Sequence, residues 1–262
     1  MTQVELLSEN HVEVLDSPFP SEVFPKCRKT NLEMISIISP TYNERKNIKT
    51  LIQRISQAMS GRRYEIIVVD DNSSDGTVDI VKGLSIDYPV KLLVRNGKFG
   101  LASAILKGFE LAKGNILGVI DADLQHPPEY MRDFVKAIEQ DGCDVAIGSR
   151  YTNGGGIESW SKKRLLTSKV AVLLAKPLVR GIKDPMSGFF FLKRSVIEGV
   201  KLNPTGYKLG LEILVKGNYR KLKEIPFSFK KRKNGASKLN NSEILSYLRL
   251  LSGLYLYKIA RA

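Results

Sequence analysis

The chain has 262 residues, 43% of them hydrophobic and 26% charged, which is the composition of a globular protein with a full core. Its formal net charge of +14 predicts an anionic partner such as a nucleotide or an anionic lipid. Two cysteines, Cys27 and Cys143, exclude a disulfide framework, and no apolar run reaches the ~20 residues that a membrane-spanning helix needs.

Short apolar runs alternate with amphipathic segments over the first 150 residues. Residues 1–32 are acidic and lack periodicity, so we expect a poorly ordered tail. The predicted strands are Ile35–Ser39, Glu65–Val69, Val90–Val94, Ile116–Ile120 and Val145–Gly148. The predicted helices are Ile48–Met59, Leu101–Ala112 and Glu129–Gln140. This alternation predicts an α/β fold with a largely parallel, doubly wound sheet.

Beyond Arg150 the pattern is less regular. The run Gly154-Gly155-Gly156 predicts a flexible hinge. Further elements are expected as strands at Phe189–Leu192 and Lys223–Phe229 and as helices at Leu211–Gly217 and Ser242–Ile259. A basic loop, Lys230–Lys238, precedes the last helix.

Polar side chains follow four of the predicted strands where each strand ends. These segments are Ser39–Glu44, Val69–Gly76, Asp121–Gln125 and Gly148–Arg150. The carboxyl ends of parallel strands share one edge of a sheet, where open α/β sheets bind their ligands. Oxygen ligands at every second residue from Asp121 suit Mg²⁺ or Mn²⁺, which would bring a diphosphate with it. An Asx turn explains a lone Asp-x-Asp equally well, but four such segments at one edge favour a binding site.

Several other classes of protein lack support in the sequence. There is no G-x-x-x-x-G-K-[ST] motif and no G-x-G-x-x-G after a strand, which excludes a P-loop NTPase and a dinucleotide dehydrogenase. The two histidines, His11 and His126, lack zinc-ligand spacing, and His126 precedes two prolines as a structural turn residue would. A nucleic-acid-binding module is the competing class for so basic a chain. Aromatic residues do not interleave with its basic ones, so we expect no nucleic acid partner.

With these motifs in this order, the chain resembles the inverting family-two glycosyltransferases. That family has a Rossmann-like nucleotide-diphosphate-sugar transferase (GT-A) fold and an Asp-x-Asp metal motif. The resemblance runs from Met34 to about Leu250. The motifs that carry it are Pro40-Thr-Tyr-Asn-Glu44, Asp70-Asp71-x-Ser-x-Asp-Gly76, Asp121-Ala-Asp-Leu-Gln-His-Pro-Pro128, Gly148-Ser-Arg-Tyr151, Lys183-Asp-Pro-Met-Ser-Gly-Phe189 and Arg232-x-x-Gly-x-Ser-Lys238.

The resemblance implies roles for individual residues. The implied nucleotide-sugar-binding set is Pro40, Tyr42, Glu44, Val69, one or both of Asp70 and Asp71, Asp121, Ala122, Asp123, Gln125, Arg150, Arg232 and Lys238. Within it, Asp121, Asp123 and Gln125 would hold Mg²⁺ or Mn²⁺, and Asp121, Asp123 and Arg150 are the implied catalytic residues. Arg164 and Ser168 would meet the phosphate of the acceptor.

The resemblance also implies a reaction. It is greatest to the members that transfer mannose from GDP-mannose to dolichyl or polyprenyl phosphate with inversion, giving a lipid-linked sugar donor for protein glycosylation. A phosphate acceptor is already an anion at neutral pH, so it needs no strong general base. Transfer of glucose from UDP-glucose to the same lipid is the alternative, because the Asp-x-Asp motif does not separate the two sugars.

The implied domain organisation has three parts. After the tail, a catalytic domain covers residues 33–240, with a nucleotide-sugar half (33–150) and an acceptor half (151–240). A C-terminal amphipathic helix covers residues 241–262.

The segment from Trp160 to Lys183 holds seven cations and no acid. Its lysines recur at every seventh position, as Lys162, Lys169, Lys176 and Lys183. Apolar residues lie between them, namely Leu165, Leu166, Val170, Leu173 and Leu174. This pattern predicts an interfacial helix on a lipid surface, bent or ended at Pro177, and a helix packed on its own domain is the alternative.

A location at a membrane surface is expected from this segment, from the final helix and from the family resemblance. The final helix, with Leu248, Leu251, Leu254 and Tyr255, is a second candidate for a membrane-facing or partner-facing surface. The resemblance implies a peripheral protein on the cytoplasmic face of the plasma membrane in a prokaryote, or of the endoplasmic reticulum in a eukaryote. Many members continue into transmembrane helices, so a small membrane-anchoring subunit is a candidate partner here.

Overall fold

The computed structural model of the protein describes residues 13–15, 33–203, 208–232 and 241–261. Its first half contains β1 (Glu13–Leu15), β2 (Ile35–Thr41), α1 (Ile48–Ala58), β3 (Tyr64–Asp70), α2 (Thr77–Leu84), β4 (Val90–Val94), α3 (Leu101–Leu111), β5 (Ile116–Val119), α4 (Met131–Glu139) and β6 (Val145–Ser149). Its second half contains β7 (Gly156–Ile157), α5 (Lys162–Ala175), β8 (Phe190–Lys193), α6 (Leu209–Lys216), β9 (Leu222–Pro226), β10 (Ser228–Phe229) and α7 (Asn241–Ile259).

One eight-stranded sheet, in the order β1-β4-β3-β2-β5-β8-β6-β9, forms the centre of the molecule. Strands β2 to β6 and β9 run parallel, whereas β8 is inserted antiparallel between β5 and β6, and β1 pairs antiparallel with β4 at the edge. The largely parallel α/β fold predicted from the alternation is therefore confirmed.

Helices cover both faces of the sheet, which explains why its strands are apolar on both sides. Along β2, Ile35 and Ile37 pack with helices α1 and α4, whereas Ile38 packs with α3 on the opposite face. Successive strand side chains point to opposite faces, so neighbouring isoleucines enter different cores. Helices α5, α6 and α7 join α3 on its face.

Three expectations about the connecting segments are corrected. Glu13–Leu15 of the expected tail pair with Leu92–Val94, and the rest of the first 32 residues lie outside the described residues. The glycine run is no hinge, because a Cβ on Gly155 would lie 2.5 Å from the Ser149 carbonyl oxygen, and Gly156 pairs with Ser228. The strand expected at Lys223–Phe229 divides at Phe227 into β9 and β10, which pair with β6 and β7.

Candidate active site

The polar segments that follow the parallel strands meet at one edge of the sheet, as predicted. Thr41 at the end of β2 pairs with Asp70 at the end of β3, and β5, the other neighbour of β2, leads into Asp121. Three non-glycine residues at this edge adopt left-handed backbone conformations: Asn43, Asn72 and Leu124. The left-handed conformation costs free energy for a bulky residue such as Leu124, and such backbone strain concentrates at functional sites.

Asp121 and Asp123 form the acidic centre of this edge. Burial, and next the negative charge of Asp123, raise the pKa of Asp121 to about 7, although Lys208 and Arg232 oppose the rise. The Asp121 side chain is half-buried and Asp123 is buried, and two such carboxylates that repel each other are stabilised by a hard cation. No group of three or more His, Cys, Asp or Glu side chains suited to a metal occurs among the described residues. Two carboxylates nevertheless fit Mg²⁺, which commonly takes its other ligands from phosphate and water.

The segment from Lys230 to Arg232 is hydrogen-bonded to the turn that contains Asp121 and Asp123. Gln125 donates through Nε2 to the Lys230 carbonyl oxygen at 3.0 Å and accepts from the Lys230 N–H with its own carbonyl at 3.0 Å. Arg232 donates to Asp123, whose other carboxylate oxygen accepts the Gln125 N–H at 3.0 Å. Metal binding by Gln125 stays a prediction, and Lys238 lies outside the described residues.

His126 is a buried structural residue next to this pair. Its ring stacks on Phe189 at 5.2 Å between centroids and meets Phe227 and Phe229 edge-on. Its Nδ1 lies 3.5 Å from Asp121 Oδ2. Burial lowers the pKa of His126 to about 4, so the ring is neutral at pH 7. This agrees with the structural role predicted from the two following prolines.

The predicted nucleoside-binding residues lie at the carboxyl ends of β2 and β3 and on the loops that follow them. Asp70 accepts the N–H and the hydroxyl of Ser73, both at 2.7 Å, and burial raises its pKa. Asp71 accepts Arg95 Nε at 2.6 Å and the Gly100 N–H at 2.9 Å.

Other members of the nucleotide-sugar-binding set differ in the solvent exposure of their side chains. Tyr42 is half-buried, and Lys98 Nζ lies 4.4 Å from its ring centroid. The half-buried Glu44 accepts Asn47 Nδ2 at 2.7 Å. Pro40, Val69 and Ala122 are buried, and the Val69 side chain packs in the hydrophobic core, so that side chain does not face a ligand.

Arg150 forms a buried, bidentate ion pair with Asp184. Its Nε and Nη2 each donate to the carboxylate at 2.7 Å, and its backbone N–H donates at 2.9 Å. Burial acts to lower the pKa of Arg150, but the hydrogen bonds and charge of Asp184 raise it overall. Asp184 is fully buried, and its role could not be predicted from the Lys183–Phe189 motif in which it lies.

The predicted acceptor residues lie in the first half of α5, Arg164 in its first turn and Ser168 one turn further on. Ser168 Oγ lies 3.0 Å from the Tyr151 hydroxyl. Arg164, in the first turn, lies with its guanidinium carbon 4.4 Å from the Trp160 ring centroid. Burial lowers the pKa of Arg164, and the charges of Arg232 and Arg150 lower it further, whereas the charge of Asp123 acts to raise it. The Arg150 guanidinium carbon lies 5.3 Å from the same Trp160 ring, and we call Arg150, Arg164 and Arg232 the arginine cluster. Trp160, which contacts Arg164, and Lys208, whose charge acts on Asp121, are site residues that the motifs did not reveal.

Helix α5 exposes much of its predicted apolar stripe. Leu166 and Leu173 are each 64% exposed, and Val170 and Leu174 are also exposed, whereas Leu165 is half-buried. The prediction that the four lysines at every seventh position lie on one helix is wrong, because α5 ends at Ala175, just ahead of Pro177. Only Lys162 and Lys169 lie within it.

Helix α7 has one buried and one exposed face. Leu251 and Leu254 are buried in the core, which corrects their expected membrane-facing position, whereas Leu248 is exposed and Tyr255 half-buried. Exposed apolar residues also include Ile244, Leu245, Leu256 and Ile259. Of the helices in the described ranges, none has the length and hydrophobicity to cross a bilayer.

Sequence comparison finds relatives along most of the chain. Residues 36–200 match glycosyl transferase family 2. The chain is similar to a dolichol-phosphate mannosyltransferase of Pyrococcus furiosus, with 50% identity over 218 residues, which are 82% of this chain and 62% of that protein. It is similar to one of Saccharomyces cerevisiae, with 40% identity over 236 residues, which are 85% of this chain and 87% of that protein. The chain thus spans less than two-thirds of the Pyrococcus relative.

Structural comparison confirms the GT-A fold. Glucosyl-3-phosphoglycerate synthase of Mycobacterium tuberculosis, solved with Mn²⁺ and UDP, superposes with a TM-score of 0.63 at 18% identity, covering 86% of this chain and 79% of that chain. Mannosyl-3-phosphoglycerate synthase of Rubrobacter xylanophilus superposes with a TM-score of 0.61 at 20% identity, covering 88% and 76%.

Proposed function

Because this chain belongs to glycosyl transferase family 2, we propose that it transfers mannose from GDP-mannose to dolichyl or another polyprenyl phosphate, with inversion. The observation that carries the proposal is the meeting of an acidic pair, Asp121 and Asp123, with three arginines. Arg232 is paired with Asp123, and Arg150 and Arg164 both lie over the Trp160 ring. Such a site suits two anionic substrates, one bound through a metal and one through guanidinium groups. The names of the two relatives support mannose and dolichyl phosphate.

The donor would bind across the loops after β2, β3 and β5. Asp121 and Asp123 would hold Mg²⁺ or Mn²⁺, with Gln125 as a further oxygen ligand. A divalent cation bound there would neutralise the diphosphate and favour its departure. Arg232, next to Asp123, adds positive charge at the same place. Asp70, Asp71 and Glu44 would accept hydrogen bonds from the base or the ribose.

The acceptor phosphate would attack the anomeric carbon from the side opposite the diphosphate, so that an α-linked donor gives a β-linked product. Arg164 and Ser168, one turn apart in the first half of α5, would bind this phosphate. No proton has to be removed from an anion, which agrees with a site whose histidine is neutral and enclosed by phenylalanines.

We predict that GDP binds more tightly than UDP in the presence of Mg²⁺. The carboxylates Glu44, Asp70 and Asp71 are hydrogen-bond acceptors, and guanine offers more N–H donors to them than uracil does. Isothermal titration calorimetry with both nucleotides measures the difference, which we expect to be about tenfold for one additional hydrogen bond to a charged group. Tighter binding of UDP would favour the alternative reaction, transfer of glucose from UDP-glucose.

We also propose that the protein is peripheral on the cytoplasmic face of a membrane, attached through α5 and α7. The exposed leucines of α5 and its flanking lysines form a surface suited to anionic lipid. A small membrane-anchoring subunit that covers the exposed residues of α7 is a further candidate partner.

Neutralising three exposed lysines of this surface should weaken liposome binding about a hundredfold. Each cation near an anionic bilayer contributes roughly 1 kcal/mol, and Lys162→Gln, Lys169→Gln and Lys176→Gln together remove three. Sedimentation with phosphatidylserine-containing liposomes measures the binding, and GDP affinity should not change. The matched control replaces three exposed lysines elsewhere, Lys49, Lys113 and Lys136, and should bind as the wild type does. Normal liposome binding with lost GDP affinity would assign the segment to the donor site instead.

A further inference from the structure

Trp160, the single tryptophan of the chain, lies between two arginines at the start of α5. The guanidinium carbon of Arg164 is 4.4 Å from its ring centroid, and that of Arg150 is 5.3 Å away. Phe229 packs edge-on against the indole at 5.4 Å. Trp160 therefore links Arg150, which follows β6 beside the proposed donor site, to Arg164 on the proposed acceptor side.

The three arginines of the cluster differ in how their charge is balanced. Arg150 is paired with Asp184, and Arg232 is paired with Asp123. For Arg164, no carboxylate of the described ranges lies within ion-pair distance. The charges of Arg232 and Arg150 repel its guanidinium, and the charge of Asp123, which attracts it, is the smallest of the three effects. A half-buried cation among like charges needs some other stabilising contact, and the Trp160 ring is placed to provide it.

An aromatic face stabilises a guanidinium group without neutralising its positive charge. The ring attracts the cation through its quadrupole, and the N–H groups at the guanidinium edge stay available to a ligand. A carboxylate in the same place would occupy those N–H groups and compete with an anionic ligand. We infer that Trp160 is a positioning residue. Its ring holds the Arg164 guanidinium in place and leaves its positive charge free to bind the acceptor phosphate. The inference rests on the proposed function, which names the acceptor as a lipid phosphate.

Two variants separate the aromatic face from the volume of the side chain. Trp160→Phe keeps a ring beneath Arg164, whereas Trp160→Leu keeps an apolar side chain without one. Calorimetry with a short-chain prenyl phosphate, in the presence of GDP and Mg²⁺, should show about tenfold weaker binding for Trp160→Leu and much less weakening for Trp160→Phe. The affinity for GDP should be the same in both variants.

A matched control removes another ring beneath an arginine. Arg261 lies over Tyr257 at 4.9 Å near the end of α7, so Tyr257→Leu breaks the same kind of contact outside the cluster. Its affinity for the prenyl phosphate should equal that of the wild type.

The fluorescence of Trp160 provides a second readout that a purely structural role would not change. Binding of the prenyl phosphate to the wild type should alter the emission of this tryptophan, and Arg164→Ala should abolish the response. This measurement also decides the matter if Trp160→Leu does not fold. Unchanged emission on binding, or equally tight binding by a folded Trp160→Leu variant, would overturn this inference and leave the proposed function standing. Failure of the wild type to bind a prenyl phosphate would overturn both.

Discussion

Replacing Asp123 with alanine should reduce sugar transfer about a thousandfold while the protein remains folded. Asp123 is one of the two carboxylates proposed to hold the metal, and metal stabilisation of a leaving diphosphate contributes several kcal/mol to catalysis. Its carboxylate also accepts from Arg232 and from the Gln125 N–H. Turnover of Asp123→Ala with saturating GDP-mannose and Mg²⁺ measures the loss, and Mn²⁺ binding followed by electron paramagnetic resonance should weaken in parallel.

The control for this experiment is Asp79→Ala, which removes an exposed carboxylate from the first turn of α2. It should leave turnover and Mn²⁺ binding unchanged. Full activity of Asp123→Ala in the presence of a chelator would show that the Asp-x-Asp carboxylates hold no metal needed for the reaction.

Replacing Asp184 with alanine should destabilise the protein by about 3–5 kcal/mol, the usual cost of leaving one member of a buried ion pair without its partner. Asp184 is fully buried and binds both Nε and Nη2 of Arg150, so the variant encloses an uncompensated guanidinium group. Urea denaturation measures the free energy of unfolding. Turnover should also fall, because Arg150 would lose its fixed orientation beside Trp160.

A double variant separates the two effects of this pair. Arg150→Met with Asp184→Leu replaces both charges by apolar side chains and should recover much of the stability, because paired burial of charge contributes little net free energy. It should not recover activity if Arg150 serves the donor. A change of less than about 1 kcal/mol for Asp184→Ala would mean that the buried pair is absent in solution.

The strand ends were the most predictable part of this molecule. Apolar runs such as Ile116–Ile120 stop abruptly at charged residues, and the topology of a parallel sheet then places all such ends at one edge. The Asp-x-Asp pair and the polar residues after β2 and β3 were found in this way. Local periodicity was sufficient, because these strands and their helices each bury a continuous apolar face.

The contacts that complete the site were not predictable from local sequence. Arg150 and Asp184 are 34 residues apart, and nothing near either residue indicates that they pair. The short strands β7 and β10 exist only through their pairing with each other, so their two residues each carry no periodic signal. The glycine run was interpreted as flexible because glycine permits many conformations, whereas here Gly155 is required by close packing on the Ser149 carbonyl.

The interfacial surface was predicted in part. The exposed leucines of α5 were found from the composition of the segment, but the repeat of lysine at every seventh position continued past the end of the helix. A repeat indicates one helix face only where the helix exists, and Pro177 follows its last residues. For α7, the sequence could not separate the buried Leu251 and Leu254 from the exposed Leu248, because apolar residues occur on several sides of that helix.

The central claim is tested most directly by identifying the product. The purified protein would be incubated with Mg²⁺, a polyprenyl phosphate and either GDP-mannose or UDP-glucose, and the lipid fraction analysed by mass spectrometry and by NMR of the anomeric position. We predict that GDP-mannose gives a polyprenyl β-mannosyl phosphate, that UDP-glucose gives far less product, and that Asp123→Ala gives almost none. Glucosyl lipid formed from UDP-glucose in preference, or sugar transfer that leaves the polyprenyl phosphate unmodified, would contradict the account.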